Sequence, residues 1–270
     1  MNRAVLLLLL VVPALATANP RPLPFSYPYE TLPSGKLEVE QYTDLIPIRV
    51  ARENTDGTLD GVFSVRSILQ TEIEYGLTDH IEVSWYFVFR QGASATTPFL
   101  QFSGVKQRVR FRLAETGEWP VDVGVYLELA EFHDELEFEE KLLLSRRFGA
   151  VTAVANLWIE QEYYFQSGDT KHIYNPTAGV TYELSPKAIV GLEYWGRGRF
   201  DDAEDVTDMT GVTDAPTRTH HYLGPTFLAQ SGKLFFSLGA YVRLDRLTGS
   251  QTAGDPYGKL WFRSVIGVEL

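Results

Sequence analysis

The chain has 270 residues, of which 35 are acidic and 24 are basic, so its formal net charge is −11. Such an acidic chain is a poor partner for nucleic acid, and the absence of cysteine excludes disulfides, thiolate metal sites, a cysteine nucleophile and a lipid-anchored N-terminal cysteine. Beyond the N-terminal region, no stretch contains the roughly 20 apolar residues that a membrane-spanning helix needs.

The N-terminal region has the pattern of a secretion signal. Arg3 supplies a positive charge, residues 4–12 form a short apolar run, and Pro13 ends that run. Ala16-Thr17-Ala18 then has the small–x–small form of a cleavage site. We therefore expect a signal peptide over residues 1–18 and a mature chain that begins at Asn19.

Residues 19–35 are rich in proline, which lacks a backbone donor and opposes both helix and sheet. The prolines are Pro20, Pro22, Pro24, Pro28 and Pro33. This composition predicts an extended lead-in on the periplasmic side, ahead of the first strand.

From residue 36 onwards, apolar and polar side chains alternate in successive runs. In one such run, Ile81, Val83 and Trp85 alternate with Glu82 and Ser84. Because successive side chains of a β-strand point to opposite faces, each run is typical of a strand with one apolar and one polar face. The predicted strands cover residues 36–50, 61–75, 80–91, 102–114, 120–131, 134–147, 150–165, 171–184, 187–198, 219–229, 233–246 and 257–270.

The connections between the predicted strands alternate between short and long. The short ones are rich in turn-forming residues and lie at 76–79, 115–118, 148–149, 185–186 and 230–232. Outer-membrane barrels have short periplasmic turns and longer extracellular loops. The pattern therefore predicts a single all-β fold over residues 36–270. This fold is an up-and-down antiparallel transmembrane barrel of about 12 strands with a polar lumen, in the outer membrane of a Gram-negative bacterium.

A soluble all-β protein with its apolar face inward is the alternative fold, because alternation does not say which face lies inside. Size favours the membrane, since a closed ring of about 12 strands is too wide for side chains to fill. Two stacked soluble sheets are the soluble arrangement that remains.

The first predicted strand contains an irregularity, and the last resembles an assembly signal. In the first, Ile46 and Ile48 have the opposite parity to Leu37, which predicts a β-bulge near Thr43. The last strand alternates up to Leu270 and resembles the assembly signal of outer-membrane barrels, although that signal usually ends on an aromatic residue. We therefore expect outer-membrane lipid, lipopolysaccharide and the barrel-assembly machinery as partners, and no nucleic acid.

Residues 72–82 form a strand–turn–strand unit around Glu74-Tyr75-Gly76-Leu77-Thr78. This hairpin resembles a motif of an outer-membrane, porin-like family associated with the MetA pathway of phenol degradation. Weaker similarities to the same motif occur at 144–149 and 180–185. The resemblance implies a small barrel with a channel or uptake role for small, hydrophobic compounds.

Four cations lie on one face of the fourth predicted strand. On a lipid-facing side, each would cost roughly 2–4 kcal/mol near the membrane midplane, so we expect them in the lumen. Acidic residues of the same phase lie on the other strands. The residues expected to line the lumen and set its selectivity are Lys106, Arg108, Arg110, Arg112, Glu72, Glu74, Glu82, Asp122, Glu128, Glu137, Glu139 and Glu160, with Glu135, Glu162, Glu183 and Glu193 in the same phase.

Such a lumen has two interpretations. If it is filled with water, fixed charges in a narrow tube act on passing ions and dipolar solutes. If the charges pair across the interior, they close it. Bulky side chains on the inward face narrow it further, namely Tyr86, Tyr126, Trp158, Trp195 and Tyr241. The sequence predicts a channel or uptake protein for passive diffusion of a small solute, with a closed structural barrel as the alternative.

An enzyme is the alternative of a different class, since outer-membrane phospholipases and proteases are barrels of similar size. The histidines are His80, His133, His172, His220 and His221, and their spacing matches no nucleophile–base motif. We expect them to be exposed loop residues. Five acidic residues of the longest loop fit no calcium-loop motif: Asp201, Asp202, Glu204, Asp205 and Asp208. We therefore expect no catalytic residue, no metal and no cofactor.

Overall fold

The structure is a computed structural model that describes residues 19–57, 59–91, 100–200, 219–245, 247 and 255–270. The predicted signal peptide and the acidic loop at 201–208 lie outside the described residues. Within them, no helix is long and apolar enough to cross a membrane. The strands are β1 (Leu37–Glu53), β2 (Leu59–Thr78), β3 (Ile81–Gln91), β4 (Leu100–Arg112), β5 (Asp122–Phe132), β6 (Glu135–Phe148), β7 (Val151–Tyr164), β8 (Thr170–Tyr174), β9 (Thr177–Ser185), β10 (Ala188–Arg199), β11 (His220–Ser231), β12 (Leu234–Arg243) and β13 (Leu260–Glu269).

These strands form one closed antiparallel sheet. Neighbours along the sheet pair with each other, and β13 pairs back onto β1 with Glu269 opposite Glu38. β8 and β9 lie in line between β7 and β10 and are separated only at Asn175 and Pro176. Because these two segments form one strand of the wall, the sheet of 13 segments is a 12-stranded barrel. The predicted fold and strand number are confirmed.

The outside of the barrel is apolar and the inside is largely polar. In β3, Trp85 and Phe87 are exposed, whereas Glu82, Ser84 and Tyr86 are buried. Large apolar side chains are also exposed on most of the other strands, including Leu45, Leu129, Leu142, Leu157, Leu192, Phe227, Leu238 and Ile266. Two stacked soluble sheets would bury their apolar faces against each other. The exposed apolar belt fits a barrel surrounded by lipid instead.

The five predicted short turns lie together at one end of the barrel, which we call the tight-turn end; the opposite end is the long-loop end. Gly117, Gly149 and Gly232 lie in these turns with φ of 77°, 63° and 60°. Glycine adopts this left-handed conformation without steric strain. Since β1 begins and β13 ends here as well, the tight-turn end corresponds to the periplasmic end in outer-membrane barrels.

The predicted bulge near Thr43 is wrong. The register of β1 with β2 and with β13 continues without a shift past this residue. Ile46, Ile48 and Val50 point into the barrel and pack in a buried cluster with aromatic side chains. The apolar parity changes along β1 because the interior becomes apolar there, and the backbone itself does not slip.

The proline-rich segment of residues 19–34, which we call the inserted segment, does not lie outside the barrel as the sequence suggested. Asn19 contacts Glu38 near the tight-turn end, Phe25 stacks on Trp195 deeper inside, and Leu32 contacts Glu82 on the way back to β1. The segment thus enters the barrel, turns near Phe25 and returns to the tight-turn end. Its prolines lack amide donors, which suits a chain that has no ladder partner.

Candidate functional site

A buried ion-pair network occupies the tight-turn half of the barrel. Arg108 Nη2 lies 3.0 Å from a carboxylate oxygen of Glu72 and 3.0 Å from one of Glu74, and it also pairs with Glu82. Arg110 donates to both carboxylate oxygens of Glu82, at 2.7 and 2.8 Å. The five side chains come from β2, β3 and β4, whose inward positions are adjacent, and all are buried.

A second network lies in the long-loop half, on β4, β5 and β6. Lys106 Nζ lies 2.9 Å from Glu128 and 3.4 Å from Glu139, while Lys141 Nζ lies 2.6 Å from Glu139. Glu137 is less closely paired, because its nearest cationic atoms, on Arg90 and Lys106, are 3.9 and 4.0 Å away. The cations are therefore largely neutralised by the wall itself.

The structure places every predicted lumen residue on the inward side of the wall. Ten of them take part in the two networks or are otherwise buried or half-buried deep in the barrel: Glu72, Glu74, Glu82, Lys106, Arg108, Arg110, Glu128, Glu137, Glu139 and Glu160. The other two lie at the tight-turn end, where Arg112 pairs with Glu115 at 3.1 Å and Asp122 accepts a hydrogen bond from the Gly117 amide at 2.6 Å. The role of all twelve residues in selectivity remains a prediction.

Several inward cations of the barrel were missed in the sequence analysis. Arg197 on β10 pairs with Glu160 at 3.1 Å and with Glu162 at 2.7 Å. Arg263 on β13 donates two hydrogen bonds of 2.6 Å to Asp44 on β1. Each cation has the inward parity of its strand, so the alternation of residues predicts that its side chain points into the barrel. The alternation does not predict which carboxylate it pairs with.

An aromatic cluster lines the interior opposite the second ion-pair network. The Trp195 ring stacks on Tyr222 with centroids 4.2 Å apart and on Phe25 at 4.5 Å, and Trp261 meets Trp195 edge-on at 4.9 Å. Tyr257 packs in the same cluster. The bulky side chains predicted to point inward do so: Tyr86, Tyr126, Trp195 and Tyr241 are buried and Trp158 is half-buried.

A cavity of about 170 Å³ lies between the second ion-pair network and the aromatic cluster. Its lining has one charged wall, with Lys106, Glu137 and Lys141, and one aromatic wall, with Trp195 and Trp261. Phe25 and Tyr27 of the inserted segment also line the cavity. The cavity is thus bounded on the tight-turn side by the protein's own N-terminal chain.

Specific contacts hold the apex of the inserted segment in place. Glu193 accepts hydrogen bonds from the Phe25 amide at 3.1 Å and the Ser26 amide at 2.6 Å. Asn156 binds Tyr27 reciprocally: its side-chain oxygen accepts from the Tyr27 amide at 2.7 Å, and its side-chain amide donates to the Tyr27 carbonyl at 3.0 Å. Backbone groups that lack a sheet partner are satisfied by inward side chains of the wall.

The histidines only partly follow the expectation of exposed loop residues. His133 and His172 are exposed, and His80 pairs with Glu115 at 3.0 Å beside a tight turn. His220, by contrast, is buried on β11 and contacts the Arg243 guanidinium at 2.6 Å. His220 lies at the start of β11 and shares the inward face of that strand with Tyr222, so its side chain points into the barrel.

The long-loop end is tied together by Arg243. Its guanidinium lies 2.8 Å from Asp255, 3.0 Å from Asp245 and 2.6 Å from the Tyr257 carbonyl. Burial alone would raise the pKa of the Asp245 carboxyl, but the hydrogen bond from the His221 amide and the charge of Arg243 hold it below its usual value. The contacts fix Tyr257 over the aromatic cluster.

Two groups of carboxylates lie close enough to share a cation. The carboxylate oxygens of Glu40, Glu72 and Glu74 lie within 4.8 Å of one another, and so do those of Glu135, Glu137 and Glu162. Arginine guanidinium groups already pair with members of both groups. The donor sets are therefore explained by ion pairs within the protein, and we assign no metal to them.

Two solved structures have a similar fold. The COG4313 outer membrane channel from Pseudomonas putida F1 is 13% identical in sequence, with a TM-score of 0.62 over 90% of this chain and 98% of that chain. The NanC porin is 10% identical, with a TM-score of 0.57 over 87% of this chain and 100% of that chain. No protein-family model and no curated protein matches the sequence. At these identities the likeness establishes the fold, and the resemblance to the MetA-associated family remains a prediction.

Proposed function

We propose that this protein is an outer-membrane channel through which small solutes diffuse passively along a narrow, charged lumen. The observation that carries this proposal is a closed barrel with an apolar outer surface around a cavity lined by charged and aromatic side chains. Lipid solvates the outer surface, and the interior offers polar groups to a solute. The channel and porin with similar folds support this proposal as examples of what such a barrel does.

The two walls of the cavity suggest the kind of solute. Trp195 and Trp261 offer flat apolar surface, while Lys141 and Glu137 on the other side offer charge and hydrogen bonds. Aromatic rings bind flat apolar groups well, and a few polar groups fix their orientation. We therefore propose small compounds that combine an aromatic or apolar part with a polar group.

Uptake into sealed vesicles tests this function. Liposomes containing the purified protein should admit small aromatic solutes with a polar group faster than sugars of similar size, while protein-free liposomes should not. Equal exclusion of both solute classes would refute the proposed function and favour a closed structural barrel.

Ion selectivity should depend on Glu137. Because its nearest cationic atoms are 3.9 and 4.0 Å away, its charge is the least neutralised of the cavity carboxylates described above. Glu137→Gln is expected to shift the reversal potential in a salt gradient towards anions. Glu140→Gln is the matched control, since Glu140 lies on the same strand with its side chain exposed on the outer face. Equal reversal potentials for the two variants would place selectivity elsewhere.

A further inference from the structure

The inserted segment begins with a contact that the proposed transport function does not use. The backbone nitrogen of Asn19 lies 3.0 Å from Glu38 Oε2, and the Glu38 side chain is buried. The other carboxylate oxygen of Glu38 has no hydrogen-bond partner in the described part of the chain. Lys36 pairs with Glu269 instead, and Arg21 pairs with Glu40.

A buried carboxylate is costly unless a positive charge and hydrogen bonds compensate it. Within a longer chain, the Asn19 nitrogen is a neutral amide with a single hydrogen. At a free N-terminus, the same nitrogen is an ammonium with three donors and a full charge, so the attraction between two unlike charges is added to the hydrogen bond. Ala16-Thr17-Ala18 places a cleavage site directly before this residue.

We propose that cleavage between Ala18 and Asn19 creates the group that Glu38 binds, and that this ion pair pins the inserted segment inside the barrel. An endopeptidase that cuts after small residues adds water across the Ala18–Asn19 amide. Ala18 leaves as a carboxylate, and the Asn19 nitrogen keeps its hydrogen and gains the two from water to become an ammonium. Removal of the leader thereby supplies the charge that the Glu38 site lacks.

The position of Asn19 allows this ion pair to hold the inserted segment in place. Two residues further on, the Arg21 guanidinium lies 3.3 Å from Glu40 and 3.8 Å from the centroid of the Tyr27 ring. The start of the inserted segment thus lies along Glu38 and Glu40, which are successive inward positions of β1. Binding of the ammonium fixes the segment at the point where it enters the barrel. The inference holds whether or not the barrel conducts solutes.

The experiment compares mature chains that differ only at the N-terminus. One chain starts at Asn19, released from a cleavable fusion, and the other carries a short Gly/Ser extension before Asn19 that moves the ammonium away. Both carry Ser26→Cys, which introduces the sole thiol of the chain. Ser26 is buried and its hydroxyl has no hydrogen-bond partner in the described residues, so the thiol reports exposure of the segment with little perturbation.

Labelling by a small thiol reagent should be about tenfold faster in the extended chain, as expected for loss of the ion pair between the ammonium and Glu38. In the Glu38→Gln background, both chains should label at one common, faster rate, while Glu140→Gln, which changes a carboxylate exposed on the outer face, should leave the difference intact. Only barrels that show the heat-modifiable folded band are compared, so misfolded material does not contribute.

Two results would overturn the inference. One is an equal labelling rate for the exact and extended chains with Glu38 intact. The other is a mass spectrum of the protein isolated from membranes in which the first residue is not Asn19.

Discussion

Replacement of both Arg108 and Arg110 by glutamine is expected to destabilise the barrel by about 3–5 kcal/mol, the usual cost of breaking a buried ion pair from one side. The two guanidinium groups face the carboxylates of Glu72, Glu74 and Glu82, and all five side chains are buried. Without the cations, three carboxylates would lie close together in a water-poor interior. The free energy of unfolding in urea, measured on lipid vesicles, should therefore fall sharply.

Arg147→Gln provides the control for this prediction. Arg147 also pairs with a carboxylate, at 2.5 Å from Glu183, but its side chain is 61% exposed. Exposed ion pairs contribute about 0–1 kcal/mol, so this variant should unfold like the parent barrel. If the double variant kept full stability and instead changed ion selectivity, Arg108 and Arg110 would line a wetted path and would not be closed ion pairs.

Removal of the inserted segment is expected to raise the conductance of the barrel several-fold. Phe25 and Tyr27 bound the cavity, and the rest of the segment fills the interior towards the tight-turn end. Deletion of residues 20–33 opens this path, since the wall strands pair with one another and need no ladder bonds from the segment. Single-channel recordings in planar bilayers measure the change.

A reversible cross-link separates displacement of the segment from damage by deletion. A Cβ atom built on Gly124 would lie 3.3 Å from the Tyr29 Cα, so the two backbones are adjacent, and a shift of a few tenths of an ångström should admit a disulfide between Tyr29→Cys and Gly124→Cys. Oxidation should hold the segment inside the barrel and keep the conductance low. Reduction should release the segment, so the conductance should rise whenever the segment leaves the lumen. Equal conductance in the oxidised, reduced and deleted forms would show that the segment does not limit passage.

The wall of the barrel was predictable because its signal is local. In β3, the alternation from Ile81 to Arg90 fixes which side chains meet lipid, and Gly117 and Gly149 mark turns that need a left-handed backbone. These properties depend on neighbours in the chain. They therefore appear in any short window of the sequence.

The inserted segment was not predictable because its contacts are remote. The Phe25 amide binds Glu193, 168 residues away, and Tyr27 binds Asn156, 129 residues away. Nothing periodic in residues 19–34 indicates which wall they will meet. Proline content correctly excluded helix and sheet there, yet the same composition suits a chain outside the barrel and a chain inside it.

The candidate site was predictable as a set of inward charges, but not as a set of pairs. Parity placed Arg108 and Glu82 inside, and the structure then showed that they pair with each other. On β1, the same rule failed for Ile46 and Ile48, because apolar side chains also line this interior where they meet the aromatic cluster. The alternation of residues predicts which side chains share a face of a strand. Packing against the other strands decides whether that face is polar or apolar.

Single-channel conductance of the wild-type protein is the most direct test of the central claim, that this barrel is a channel with a narrow charged lumen. Purified protein in a planar bilayer should give discrete, small conductance steps, which become larger when the inserted segment is deleted. A bilayer that stays silent for both proteins, although both fold and insert, would contradict the claim.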